Sequence, residues 1–319
     1  MLYNVLPESA QAYQLPVAMA FAFALTFVLL HFLSRFLPRD GGRAFAVDGE
    51  KSAGKPRGAG IIFITVFTTV SSIFAPMDLE HGFYLILILV AMMTGFLDDA
   101  SKSPWGEYLK GALDLVVAIL TTLVFMSHNS TEIKFAVFNT SFVMPKILFG
   151  ILSVIVIWVS INVTNCSDGV DGLSGSVSIA TLMGFFTIMQ KIGIAEEFTP
   201  LILILITGLA AYLWFNATPS KLMMGDAGSR AIGLFIAICA LKTEDPFLFL
   251  QLALVMLFDG GLGLIKVFLL RFLKIHILKN VRTPLHDHVR KVWGWSNTQC
   301  VYRFTIIQLV VCSVVYFLV

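Results

Sequence analysis

Four stretches of the chain carry side chains that could do chemistry: Asp98-Asp99, the run from Asn162 to Gly172, Gly225-Asp226-Ala227-Gly228-Ser229 and His286-Asp287-His288. The first three abut a long apolar run, and the last lies in the long polar segment before the final one. An Asp at the centre of a membrane helix costs roughly 2.5 to 3.5 kcal/mol on insertion scales, so carboxylates this dense belong at helix ends that meet water or an ion. Adjacent Asp residues at a helix end can bind a divalent cation, or one can act as a base while its neighbour holds the metal. The run Asn165-Cys166-Ser167-Asp168-Gly169-Val170-Asp171-Gly172 reads as a metal or ligand loop. Two Asp-Gly steps beside two amides exceed what a plain turn needs. Glycines around Asp226 at a helix start would let backbone N–H groups approach a ligand closely. If the late segment is extended, His286 and His288 point together with Asp287 opposed. No Cys or third His is near them, so contacts of the imidazoles to phosphate or amide are expected rather than a zinc site.

These motifs must be positioned by membrane helices. Hydrophobic residues make up 57% and charged residues 13%, and the mean hydropathy is +0.86, far from the roughly 25% charged of a soluble domain. The reading is an all-α integral membrane protein in which residues 1–319 form a single polytopic membrane domain. Runs able to span, at about 20 residues each, fall near 15–37, 59–75, 83–97, 111–126, 147–161, 174–189, 200–215, 230–241, 246–270 and 301–319. The short ones are expected to extend into their polar flanks. The ninth is too long for a straight span and contains Asp259, Gly260, Gly261 and Gly263, so a bent or broken ninth helix is expected. With ten transmembrane helices, seventeen Lys and Arg fall on one side and four on the other, Lys266 lying inside the ninth run. That bias places the richer side in the cytoplasm and both termini outside, with every chemical motif on the cytoplasmic face. The N-terminal region lacks a basic segment and a cleavage site, which favours a retained helix over a signal peptide. Cys166, Cys239, Cys300 and Cys312 have no C-x-x-C spacing and read as inert thiols. The net charge of +2 gives no reason to expect a nucleic-acid partner. The basic, glycine-rich segment Pro38–Gly58 reads as a mobile loop able to meet anionic groups or lipid headgroups.

Convergence of the four clusters on one face carries more weight than any one of them. Hard oxygen donors, nearby basic loops and no nucleophilic Ser or Cys beside a base suggest Mg²⁺, or Mn²⁺, holding a diphosphate. An ion-coupled transporter would also put acids in membrane helices. Such proteins, however, hold their coupling charges near the midplane and often show inverted repeats, and neither feature is visible here.

The order of Asp98-Asp99, Asn165-x-x-Asp168-Gly-x-Asp171-Gly-Leu, Asn216-x-x-Pro219 followed by Gly225-Asp226-x-Gly228-Ser229, and His286-x-His288 resembles the polyprenyl-phosphate N-acetylhexosamine-1-phosphate transferase superfamily. Pro284-Leu285-His286-x-His288, Gly294-Trp295 and Arg303-Phe304 are most similar to its bacterial phospho-N-acetylmuramoyl-pentapeptide transferase branch. The chain departs from that branch at Asp287, where three consecutive His are usual, and at Lys55–Gly60. The resemblance implies an Mg²⁺-dependent phosphoglycosyl transferase of the bacterial inner membrane, multi-pass, with its active site cytoplasmic. Its substrates would be UDP-MurNAc-pentapeptide and undecaprenyl phosphate, with the lipid bilayer, nucleoside inhibitors and a second copy in a homodimer as further partners. A sister reaction using UDP-GlcNAc is the nearest alternative. Carried over by position, Asp98, Asp99, Asp226 and His286 would be catalytic and Asp226 the metal ligand. Lys110, Asn165, Asp168, Asp171, Asn216 and His288 would bind substrate.

Overall fold

Apolar runs with few charges fold as helices in a membrane because every backbone polar group must be satisfied within its own segment. The computed structural model describes residues 8–42, 52–135, 138, 140–193 and 198–319. Its main helices are α1 (Glu8–Leu33), α2 (Gly60–Phe74), α3 (Leu79–Asp99), α4 (Glu107–His128), α5 (Lys146–Cys166), α6 (Leu173–Ile192), α7 (Thr199–Asn216) and α8 (Gly225–Lys242). A short helix, Leu285–Lys291, and a long last one, Asn297–Leu318, close the chain. Among the described residues seven helices are long and apolar enough to cross a membrane: the one at Tyr13–Phe36, then α3 to α7 and the last. Helix α2 is shorter and apolar.

Each of the ten expected runs contains helix, and several grow into their polar flanks as anticipated. Helix α3 starts one turn early because Asp78 caps it, its carboxylate accepting from His81 N at 2.7 Å. Helix α5 runs on to Cys166, so Asn162 and Asn165 are helical, and the turn proper is confined to the residues that follow. The ninth run is broken: Leu248–Leu252, Leu254–Met256 and Leu262–Phe268 are α-helical, with non-helical Ala253 between the first two, a wider-wound turn at Leu257–Gly261 before the third and another at Leu269–Leu273 after it. One departure from all-α is a two-stranded antiparallel hairpin, β1 (Glu132–Phe135) with β2 (Thr140–Val143), pairing Glu132 with Val143.

Helix α8 is the centre of the bundle. Every residue from Gly225 to Leu241 is buried, and it packs most heavily on α3 and α5. A helix enclosed on all sides needs no lipid-facing stripe, which is why it tolerates Asp226, Ser229 and Arg230 near its start. Close approach relies on small residues, as in other membrane bundles. A Cβ at Gly60 would overlap the backbone of Gly228, and one at Gly95 would overlap the Asp226 carbonyl. The chain order then brings the C-terminal ends of α3, α5 and α7 to the same end of the bundle as the N-terminal ends of α2, α4, α6 and α8.

Candidate active site

The four motifs do meet at that end. Asp98 and Asp99 finish α3, Lys110 and Asp114 lie in the first turns of α4, and Asp226 lies in the first turn of α8. Glycine at 225 is required twice over: its φ is +74°, and a side chain there would run into Asp99 Oδ2. That oxygen instead accepts from Ala227 N at 3.2 Å, which fastens the end of α3 to the start of α8.

Asp226 sits among three cations held by three different elements. Arg57 Nη2 is 3.4 Å from its Oδ1, Lys110 Nζ is 3.4 Å from its Oδ2, and Arg230 Nη2 is 3.5 Å from the same oxygen. None of the three is committed to Asp226 alone. Lys110 is ion-paired with Asp98 Oδ2, while Asp98 Oδ1 accepts from Trp105 N at 2.8 Å. Arg230 Nη1 pairs with the buried Asp114 at 2.8 Å. Arg57 Nε lies 2.8 Å from Asp99 Oδ1, and its Nη1 lies 3.5 Å from Asp40. Burial works against the Arg57 charge, yet Asp99, Asp226, Asp40 and Asp168 together outweigh it and hold its pKa above the ordinary value.

The stretch that carries Arg57 is tied down. For the residues described, 38–42 and 52–58, backbone bonds tie the segment from both sides. Arg57 N donates to Pro38 O at 2.8 Å, Asp40 N to Lys55 O at 2.9 Å, and Met223 N to Pro56 O at 2.8 Å. Arg43 and Lys51, also assigned to this loop from sequence, lie outside the described residues.

The Asn165–Gly172 stretch forms a second wall. Asn165 Nδ2 donates to Ser229 Oγ at 2.9 Å, joining α5 to α8. Asp168 is half-buried and near enough to reinforce the Arg57 charge. Asp171 Oδ2 accepts from Ser220 N at 3.2 Å and pairs with Lys55 at 3.6 Å. Asn216 is buried with both amide atoms spent on backbone: Oδ1 accepts from Gly172 N at 2.8 Å and Nδ2 donates to Leu222 O at 2.9 Å. In this arrangement it braces the loop before α6 against the loop before α8.

The His segment is helical, which corrects the extended reading. With Pro284 at its N-cap, Leu285–Lys291 is a short helix, so positions two apart diverge by about 200°. His286 is buried. Its N–H reaches Asp259 Oδ1 at 2.7 Å, and its Nδ1 lies 2.9 Å from Asp259 Oδ2. Its Nε2 lies against Gly169, where any Cβ would collide with it. His288 turns elsewhere, its Nδ1 accepting from Arg282 N at 3.3 Å and its ring edge-on to Trp293 at 5.7 Å. Asp287 pairs with Arg290 at 3.5 Å.

Sequence reasoning thus missed the roles of Arg57, Asp40, Asp114, Arg230 and Asp259. Two signals were available. Asp114 and Asp259 are ionisable residues inside apolar runs, which are functional by default, and Arg230 stands four residues after Asp226 on one helix face. Among the described residues no three His, Cys, Asp or Glu side chains are grouped to hold a metal by themselves.

A family profile described as glycosyl transferase family 4 matches residues 82–244, the span from α3 to the end of α8 that carries most of this site. A protein of Treponema pallidum (strain Nichols) is 41% identical over 310 residues, covering 92% of this chain and 85% of its own length. Proteins of Dictyoglomus turgidum and Thermotoga neapolitana are 29% and 26% identical, each aligned over 91% of this chain and over 93% and 95% of their own lengths. All three relatives are named phospho-N-acetylmuramoyl-pentapeptide transferase. Coverage of this extent, across the motifs that build the site, means that the chain belongs to the phospho-N-acetylmuramoyl-pentapeptide transferase family within glycosyl transferase family 4.

Proposed function

We propose that the chain transfers phospho-MurNAc-pentapeptide from UDP-MurNAc-pentapeptide to undecaprenyl phosphate, releasing UMP and forming lipid I at the cytoplasmic face of the inner membrane. The observation that carries this reading is Asp226 held at a helix end among Arg57, Lys110 and Arg230, with Asp98 and Asp99 alongside. Two phosphate-bearing anions must be brought together, and their repulsion is the main barrier that positioned cations can lower.

A lipid phosphate oxygen attacks the phosphorus attached to the sugar, and the bond from that phosphorus to the UMP oxygen breaks, with UMP keeping the electron pair. A phosphate monoester with a second pKa near 6 is mostly dianionic at neutral pH, so the attack needs no prior loss of a proton. Lys110 and Arg57 would meet the diphosphate, and Asp98 and Asp99 would aim those two cations. Asp168 and Asp171 line the nucleotide side together with Asn165. His286, oriented by Asp259, would contact the sugar-nucleotide with Nε2, while His288 and Asn216 support the walls.

The donor set also suits Mg²⁺. That ion is commonly bound by one or two carboxylates plus substrate phosphates rather than by an all-protein cage. Oxygens of Asp98 and Asp226 already share one cation, the Lys110 ammonium. Asp226 would be the principal ligand, and the ion would supply charge neutralisation for the diphosphate.

Purified protein incubated with undecaprenyl phosphate, Mg²⁺ and either UDP-MurNAc-pentapeptide or UDP-GlcNAc is the direct test. UMP release with the first nucleotide sugar is expected, and release only with UDP-GlcNAc would overturn the muramoyl assignment. A uridine-like nucleoside inhibitor should raise the thermal midpoint by linkage if the nucleotide wall is correctly drawn.

A further inference from the structure

At the other end of α8, beside Lys242, a cavity of about 670 Å³ opens between the starts of α3 and α5, the end of α4 and the hairpin. Small-molecule sites commonly fall between about 300 and 1,000 Å³. The cavity contributes nothing to the transfer site, so its chemistry must be read on its own terms.

Its charge is one-sided once the internal pair is set aside. The Lys242 ammonium lies 3.0 and 3.2 Å from the two Glu80 oxygens and 3.0 Å from Asn129 Oδ1. Glu80 Oε1 also accepts from Tyr84 Oη and Asn129 Nδ2, both at 2.6 Å. The Lys242 ammonium is thereby neutralised within the wall. The carboxylates of Asp78, Glu132 and Glu244 also line the space. Lys134 is a further cation beside them, bound to Glu244 at 2.6 Å on a largely solvated side chain.

A second observation points to a ligand. His81 is 3% exposed and lines the cavity, and neither of its ring nitrogens has a hydrogen-bond partner. Its Nδ1 lies 2.8 Å from Asp78 Oδ1. A neutral ring carries one N–H and one acceptor nitrogen; with the proton on Nδ1, the nitrogen nearer the Asp78 carboxylate, Nε2 is the acceptor. An unmet acceptor this deeply buried is costly to leave without a donor. Phe125 and Phe149, stacked at 5.7 Å, supply aromatic wall, while Phe198 is packed between His81 at 5.7 Å and Phe235 at 5.6 Å; His128, Ser130, Leu241 and Pro246 complete the lining. An acceptor, excess carboxylates and aromatic faces together recognise one class of molecule, an N–H-bearing organic cation with an apolar body. An anion would be repelled. A bare metal ion would find no group of three suitable side chains among the described residues.

We propose that this cavity is a second ligand site, which binds a small organic ammonium ion at the end of the bundle opposite the transfer site. Its N–H donates to His81 Nε2, its charge faces Asp78 and Glu132, and its carbon body lies against Phe125 and Phe149.

Benzylammonium, with benzyl alcohol as its neutral counterpart, tests this by calorimetric titration of the full chain in phosphatidylcholine nanodiscs. Benzylammonium should bind saturably and at least about tenfold more tightly than the alcohol, a factor that one carboxylate at close range readily supplies. Asp78→Asn keeps a good helix cap and should weaken benzylammonium several-fold while UMP formation stays at the wild-type level. His81→Phe keeps the stack on Phe198, removes the acceptor and should have a similar effect. Should either variant lose its fold, Glu132→Gln on the hairpin reads out the same electrostatic loss. Equal affinity for amine and alcohol, or benzylammonium binding that none of the three variants weakens, would overturn the site.

Discussion

Helix α8 carries a buried charged cluster at each end, and the two are built differently. Around Lys242 the contacts are short and complete, with Tyr84 and Asn129 completing the Glu80–Lys242 pair at 2.6 to 3.2 Å. Around Asp226 the three cation contacts are 3.4 to 3.5 Å, and every cation is shared with another carboxylate. A fully satisfied buried pair is a lock, because removing one partner strands the other. A carboxylate whose cations are each held closer by another carboxylate can give up those long contacts when phosphates arrive. Charge at a helix end is therefore a poor guide to function until the completeness of its pairing is known.

The comparison breaks most sharply at Asp226. Asp226→Asn should lower turnover by about 10³-fold, the scale lost with a preorganised electrostatic contact, while the protein remains extractable and folded. UMP formation measured at saturating Mg²⁺ checks this, and near-normal activity would remove Asp226 from the metal and phosphate site. The opposite outcome is expected at Glu80. Glu80→Leu strands the Lys242 ammonium and should cost about 3 to 5 kcal/mol of stability. Thermal unfolding would detect that loss, and the fraction that remains folded should turn over normally. Smaller effects sharpen the picture. Asp259→Asn weakens the hold on His286 and should reduce kcat/KM on the order of tenfold to a hundredfold with little change in thermal midpoint, a milder relative of the loss seen when a His-orienting carboxylate is neutralised.

The smallest effect concerns acid. Burial raises the Asp78 pKa, but the His81 backbone N–H and the Lys242 charge outweigh it, leaving it below the ordinary 3.8. A carboxyl lowered in the folded state contributes stability above its unfolded pKa and loses it as pH falls through the folded value. Wild-type protein should therefore lose this contribution below about pH 4, and Asp78→Asn should flatten that limb of the unfolding profile.

The positions of the helices, their approximate limits and the break in the ninth run were legible because hydropathy and glycine spacing act locally. Asp98, Asp99 and Asp226 were legible for the same reason, since they are costly in an apolar chain wherever they fall, while Asp40, Asp114 and Asp259 were passed over. Of the partners of those first three only Lys110 was expected at the site, and that through the family resemblance. Arg57 looks like any basic loop residue until Pro38 and Met223 are seen to pin its backbone, and such pairings between distant segments leave no periodic trace. The same limit applies to His286. Its chemistry was visible, but its helical setting and its hold by Asp259 depend on how the broken ninth helix packs. Asn216 shows the converse: an amide near the motif reads as a ligand group, yet both its polar atoms are bonded to backbone.

The bare glycines at the α8 crossings bear on how a mutational scan of this protein should be interpreted. Gly60 and Gly95 face main chain, which cannot step aside for a methyl group. Alanine at either position should be as poorly tolerated as asparagine at Asp226. A tolerance map alone would therefore draw one continuous patch of intolerant positions around the start of α8, mixing residues that handle phosphate with residues whose only service is to be absent. Separating them takes a readout of folded protein beside the readout of growth: the glycine variants fail in both, and the carboxylate variants in one.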